Sequence, residues 1–263
     1  MLLRTITALG LFIAALLIMF VAPSYVFNAF SWLICLLIIH ELTTMYQFTM
    51  WQKILSLLIN TALALAVYLV HYDFSQIIMM IAIFTWCFIV PFVLIFQPKN
   101  FSKTAIVVFS IILTIPAFYG LVVINSLFGG LQLLYIFFVA WIADTGAYFT
   151  GKAFGKRKLI PSVSPNKTVE GLIGGFICVV IYMNILYYFN LSILLPSYGK
   201  VMKIALILTA VSVIGDLVES WFKRVAKVKD SGNILPGHGG VFDRMDSIIA
   251  VVAISYAMLR GMI

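Results

Sequence analysis

Five of the carboxylates within or at the ends of this chain's apolar segments stand out, and the spacing of four of them is helical. Asp216, Glu219, Ser220 and Lys223 fall at i, i+3, i+4 and i+7, and Asp243, Asp246 and Ser247 repeat the first three of these positions. Residues so spaced share one helix face. Asp144 is the fifth acid. Ionisable groups inside membrane spans are costly and are functional candidates by default. Two carboxylate-bearing faces that end at one membrane level could share a divalent cation. Mg²⁺ takes oxygen ligands and keeps waters and substrate phosphates in its shell. Spacing alone leaves a second reading open: interhelical ion pairs, such as Glu219 with Lys223.

Basic and glycine-rich stretches adjoin the acids. Lys223, Arg224, Lys227 and Lys229 precede Asp230-Ser231-Gly232 and then Pro236-Gly237-His238-Gly239-Gly240. Glycines let a backbone approach a ligand and turn several N–H groups toward one anion. A loop that opens into a helix adds the positive end of that helix. A second loop runs from Gly151 through Lys152, Lys156, Arg157 and Lys158 to Ser164-Pro165-Asn166-Lys167-Thr168-Val169-Glu170-Gly171. Ser164 before proline predicts an N-cap with Pro at N1, which would place Lys167 and the first-turn amides for a phosphate. Gly171 and Gly175 have GxxxG spacing, whose default meaning is helix packing. Lipid headgroups alone would explain the lysines, but not the acids interleaved with them.

Cationic loops around a carboxylate cluster point to phosphoryl or nucleotidyl transfer, where neutralising like charges is the main catalytic need. A phosphate nucleophile is already ionised at neutral pH. A strong general base is then dispensable, in keeping with a chain that shows no Ser-His or Cys-His arrangement. His238 reads as a phosphate donor or loop organiser.

The elements that must position these residues are membrane helices. The 263 residues are 63% hydrophobic and 10% charged, too few charges to cover a water-facing surface. Long apolar runs without alternation mean helices in lipid. Nine spans are expected, at 5–22, 25–41, 52–71, 74–96, 104–124, 131–150, 168–189, 201–222 and 241–262. The first could be a signal peptide, but Ala22-Pro23-Ser24 is a poor cleavage site and further spans follow at once. Cys35, Cys87 and Cys178 have no zinc or disulfide spacing and read as small buried hydrophobes. Sorting the loops by side puts 14 of the 17 Lys and Arg residues on one face and Lys200, Lys203 and Arg260 on the other. Basic residues stay in the cytoplasm, so the N-terminus is expected inside and the C-terminus outside. The net charge of +8 then needs no nucleic acid. Residues 144–247 hold 19 of the 26 charged residues. The expected division is a transmembrane scaffold over 1–130 and a catalytic region over 131–263, with cytoplasmic loops 151–167 and 223–240.

The whole run from Ser220-Trp221-Phe222-Lys223-Arg224 through Lys229-Asp230-Ser231-Gly232, Pro236-Gly237-His238-Gly239-Gly240 and Asp243-Arg244-Met245-Asp246 resembles the signature of the phosphatidate cytidylyltransferases (CDP-diacylglycerol synthases). The Asp144–Lys156 run and the Ser164–Gly171 box are also similar, with Asn166 standing where lysine is more usual. The resemblance implies CTP + phosphatidate → CDP-diacylglycerol + diphosphate in phospholipid biosynthesis. It implies Mg²⁺, with K⁺ as a second cation, and metal ligation by Asp216, Asp243 and Asp246 with Glu219 in support. Lys223, Arg224, Lys229, His238 and Arg244 would bind phosphates, with Asp230 beside them in the catalytic group. Asp144, Lys156, Lys167, Glu170, Ser220, Gly239 and Gly240 would form the substrate side. A homodimer is expected, and the compact chain suggests a bacterial inner membrane with the site facing the cytoplasm.

Two other classes fit parts of the pattern. An anion or lipid-phosphate transporter would use the same basic cavity, but such sites lie near the midplane, whereas these polar residues gather at one face. A CTP-dependent polyprenol kinase would release CDP instead of diphosphate.

Overall fold

In lipid a chain must satisfy its backbone polar groups internally, and the long apolar runs do so as helices. The computed structural model describes residues 2–70, 74–195, 197–235, 237 and 239–261, with the backbone alone for 2–9 and 11. The helices are α1 (Leu2–Phe20), α2 (Ser24–Met45), α3 (Met50–Leu69), α4 (Ser75–Phe96), α5 (Lys103–Phe128), α6 (Gly130–Phe154), α7 (Val169–Tyr188), α8 (Tyr198–Ala226) and α9 (Phe242–Arg260). Each overlaps one expected span. Among the described residues, α2 to α8 are the seven long and apolar enough to cross a membrane.

The outer surface is apolar. On α7, Ile173, Ile177, Ile181 and Ile185 are all exposed, and their i, i+4 spacing makes one greasy stripe. Water would not tolerate such a stripe on a helix surface; lipid does. This is an all-α polytopic membrane protein.

The buried centre is built on α5 and α9. Every α5 residue from Leu113 to Ile124 and every α9 residue from Ser247 to Ala257 is buried. Gly120 lets the two helices close: a Cβ there would sit 3.0 Å from Val252 Cγ1. Because α9 is enclosed by protein, the acids at its start are positioned by neighbouring helices. Pro91 has no N–H to give to the preceding turn, and α4 loosens there into a π-turn over Thr85–Ile89. Pro116 lies inside α5. Cys35 is buried as expected, but Cys87 is exposed on the outer surface.

Helices α6 and α7 pack backbone to backbone. A Cβ on Gly175 would lie 2.6 Å from Ala143 O, and one on Gly171 would lie 2.8 Å from Ala147 O. The GxxxG spacing is therefore packing. Between these helices runs a hairpin of β1 (Lys158–Ile160) and β2 (Ser164–Thr168), paired antiparallel with Ile160 opposite Ser164.

The hairpin corrects one expectation. Ser164 does not cap a helix; it begins β2, and Pro165 lies in the strand. The residue before proline favours extended backbone, and pairing with β1 holds the segment there. The helix cap is Thr168, whose side chain accepts from Gly171 N–H. Two boundaries also move. α6 runs on to Phe154, and α8 runs on to Ala226, so Lys223 and Arg224 belong to a helix and not to the loop.

Candidate functional site

Near one end of the bundle, α6, α7, α8, α9 and the hairpin enclose a cavity of about 750 Å³. α8 brings Asp216, Glu219 and Lys223 to its wall, and α9 brings Asp243, Arg244 and Asp246. Asp144 and Lys152 come from α6, Lys167 from β2, and Asp230 from the loop after α8. Six carboxylates thus face four cations. Asp216 is ten residues from the end of α8, which at about 1.5 Å per residue puts it about 15 Å deep.

The two cluster lysines are already engaged. Lys223 Nζ lies 2.8 Å from Glu219 Oε2 and 2.7 Å from Asp243 Oδ1. Lys167 pairs with Asp216. The ion-pair reading of the spacing is therefore realised, and so is the cluster reading. Asp216, Glu219 and Asp246 each offer one carboxylate oxygen, all within 4.8 Å of one another. Ser220 Oγ donates to Asp216 Oδ1 at 3.4 Å, and Ser247 N–H to Asp246 Oδ1 at 2.7 Å. Glu219 Oε1 is buried with no hydrogen-bond partner. A buried acceptor left unsatisfied calls for an explanation, and a hard cation among three carboxylates supplies one. The residues present therefore fit Mg²⁺.

Asp243 borders that group of three through Lys223, which bridges it to Glu219. Its Oδ1 takes Lys223, while its Oδ2 accepts from Ser231 N–H at 3.0 Å and Gly240 N–H at 2.8 Å. It ties the glycine-rich loop to α8. A second carboxylate, Glu41 of α2, lies beneath the same loop. It is 1% exposed and accepts from Ser231 Oγ at 2.7 Å, Val241 N–H at 2.8 Å and Phe242 N–H at 2.9 Å.

These bonds change the meaning of the glycines. The glycine-rich loop, expected to turn its N–H groups toward a substrate anion, instead points the amides of residues 240 to 242 at the protein's own carboxylates. Gly232 and Gly240 make room for Glu41: a Cβ on Gly232 would lie 2.6 Å from Glu41 Oε1, and one on Gly240 2.5 Å from Oε2. Gly239 has φ +84°, a backbone region that favours glycine.

The remaining candidates are not among the described residues that line the cavity. Glu170 does not line the cavity. It accepts from the backbone of Lys156 and Arg157 at 3.0 and 3.1 Å and from Arg157 Nε at 3.1 Å, closing the loop before β1. Lys156 itself is exposed. Arg224 Nε donates to Val163 O at 3.2 Å, pinning the hairpin to α8. Lys229 is exposed, and His238 lies outside the described residues. Glu41 is the residue the spacing did not reveal. Its signal was present, a lone acid at the end of an apolar run, but its partners lie 190 to 201 positions away.

Fold and site together define a polytopic membrane protein with a carboxylate-and-lysine cavity opening near one end of the bundle. The cytidylyltransferase family matches residues 2–262, and the chain belongs to it. It is 49% identical over 124 residues to a phosphatidate cytidylyltransferase of Haemophilus influenzae, covering 46% of this chain and 42% of the relative. Proteins of the same name from Bacillus subtilis and Staphylococcus haemolyticus are 50% identical over 131 residues and 48% over 133, covering 48% and 49% of this chain. The chain spans about half the length of the curated relatives it matches, at 42 to 49% of each.

Proposed function

We propose that this protein transfers a cytidylyl group from CTP to phosphatidate. An oxygen of the lipid phosphate attacks the α-phosphorus of CTP, the α–β phosphoanhydride bond breaks, and diphosphate leaves as CDP-diacylglycerol forms. The observation that carries this reading is the cavity itself, with Asp216, Glu219 and Asp246 grouped beside Lys167, Lys223 and Arg244 near a membrane-helix end.

The residues divide the work as follows. Asp216, Glu219 and Asp246 would hold Mg²⁺, with K⁺ as a second cation; bound there, Mg²⁺ neutralises phosphate charge and orients the polyphosphate. Lys167 and Lys223 stand within one side-chain length of the same space. Arg244 and Lys152 line the same cavity. Asp243 fixes Lys223 and the loop together and so acts on placement. The lipid phosphate is ionised near neutral pH, so no residue has to remove a proton from the nucleophile. Acyl chains remain in the bilayer while the headgroup meets soluble CTP.

Nine crossings with the N-terminus in the cytoplasm and the C-terminus outside, a cytoplasmic site, a bacterial inner membrane and a homodimer complete the proposal. The 14-to-3 partition of basic residues supports the orientation.

The test uses the purified chain in detergent with phosphatidate and radiolabelled CTP, with and without Mg²⁺. The expected result is Mg²⁺-dependent diphosphate and a lipid-linked CDP. Release of CDP with a phosphorylated lipid would instead identify a kinase. No CTP turnover with any lipid phosphate would overturn the proposal.

A further inference from the structure

The geometry points to Glu41 as a positioning residue for this site: from α2, it sets Ser231 and the start of α9, and through them the seat of Lys223 and Glu219. This rests on the function proposed above.

Glu41 lies outside the cavity wall, so its role runs through other residues. Its carboxylate is buried, and the described ion pairs do not include it. A carboxylate in that position is stable only if it is well hydrogen-bonded. The N–H groups of Val241 and Phe242 supply two bonds from the start of α9, where the helix dipole also favours a negative charge. Ser231 Oγ supplies the third.

The same serine continues the path. Its hydroxyl accepts from Asp243 N–H at 3.3 Å, and its own N–H donates to Asp243 Oδ2 at 3.0 Å. Asp243 Oδ1 holds Lys223, and Lys223 holds Glu219, one of the three grouped acids. One continuous chain of polar contacts thus links α2 to the cation group. Close packing of α2 would not require a charge, since buried ionic groups are often replaceable by apolar ones without loss of stability. Two glycines are nonetheless kept bare to admit this carboxylate. A buried acid bonded at once to Ser231 and to the start of α9 fixes their relative placement in a way an apolar side chain cannot.

The test compares wild type with Glu41→Gln, Glu41→Asp and Ser231→Ala in the purified full chain. Gln keeps the shape of Glu but offers one acceptor oxygen where the carboxylate offers two, and it turns an NH₂ toward N–H donors. Four readouts are taken: kcat and KM for CTP, Mn²⁺ affinity by electron paramagnetic resonance without substrates, protease nicking within 229–240, and melting temperature. Glu41→Gln is expected to lower kcat about 100-fold, the loss that a misplacement of about 1 Å can cause. Measured at saturating Mg²⁺, KM for CTP should change less than kcat, since the lost contacts do not touch nucleotide. Mn²⁺ affinity should fall and nicking should rise. Glu41→Asp should recover part of each. Ser231→Ala added to Glu41→Gln should cost little more, because both cut one path.

A Glu41→Gln protein with a lower melting temperature but wild-type kcat and Mn²⁺ affinity would make Glu41 a packing residue and overturn the inference. Were the wild type to turn over no CTP, the functional proposal would fail by itself. Unchanged Mn²⁺ affinity and loop nicking would then overturn the positioning role, and changes in both would uphold it.

Discussion

Replacing Lys223 with methionine tests the centre of the site most directly. Lys223 Nζ sits between Glu219 Oε2 at 2.8 Å and Asp243 Oδ1 at 2.7 Å. The Glu219 and Asp243 side chains are 2% and 10% exposed. Methionine matches much of the lysine stem but removes the cation, leaving two enclosed carboxylates facing each other. Breaking a buried pair by removing one partner costs about 3–5 kcal/mol, most of it from the uncompensated charge left behind. At about 2–4 °C per kcal/mol for chains near this size, the melting temperature should drop by about 6–20 °C. Cytidylyl transfer should also be lost, because the proposed function gives Lys223 a role at the phosphates. Adding Glu219→Gln separates the two effects. The Gln amide can donate to Asp243 Oδ1 and removes one of the two charges, so most of the stability should return while activity does not. Thermal unfolding in detergent, followed by tryptophan fluorescence and paired with the CTP assay, reads both. A Lys223→Met protein melting within about 2 °C of wild type, a difference worth about 1 kcal/mol or less, would refute the bridging geometry.

Three further outcomes are expected. Asp246→Asn should abolish Mg²⁺-stimulated CTP turnover while leaving the fold intact by circular dichroism; full activity would remove Asp246 from the metal group. Gly232→Ala puts a Cβ 2.6 Å from Glu41 Oε1 and should destabilise the protein by about 1–3 kcal/mol. Gly10→Ala, where a Cβ would meet nothing within 4 Å, should leave the melting temperature unchanged, and equal losses at the two positions would discredit the packing argument. An alkaline phosphatase fused after Ile263 should be active outside the cytoplasm, and a cytoplasmic reading would reverse the proposed orientation.

Helical period carried much of the site in plain view. Asp216, Glu219 and Lys223 had to share a face once their segment was a helix, and so did Asp243 and Asp246. Period cannot say which faces meet. Lys167 reaches Asp216 because a hairpin folds β2 back over α8, and nothing in the Ser164–Thr168 residues taken alone distinguishes that strand from a capped helix. The proline sat well in either, and pairing with Lys158–Ile160 decided it. Glu41 was hidden for a different reason. A lone acid at the end of an apolar run has no local partner to betray its role, and its ligands come from a loop 190 or more residues away. The glycines of that loop were visible but ambiguous. A residue that makes room looks the same in sequence whether the guest is a phosphate or the protein's own carboxylate.

The charge balance of the cavity constrains how it can bind a nucleotide. Six carboxylates and four cations line it, and Lys167 and Lys223 are held by acids of the same wall. A triphosphate approaching this surface meets more carboxylates than cations, and like charge at short range must be offset. Lys167 and Lys223 are bound to Asp216 and Glu219, the very carboxylates a divalent ion would use. A divalent ion held by those two acids would cancel negative charge and free Lys167 to turn to phosphate, while Lys223 would stay on Asp243. On the proposed function, CTP affinity and Mg²⁺ concentration should be thermodynamically linked, each raising the apparent affinity for the other. Lys167→Met should weaken that linkage, since Asp216 would then bind the ion without freeing a cation for the nucleotide. CTP binding that ran equally strong in chelator and in Mg²⁺ would show that the lysines already face the phosphates, and the ion pairs of the resting site would have no part in recognition.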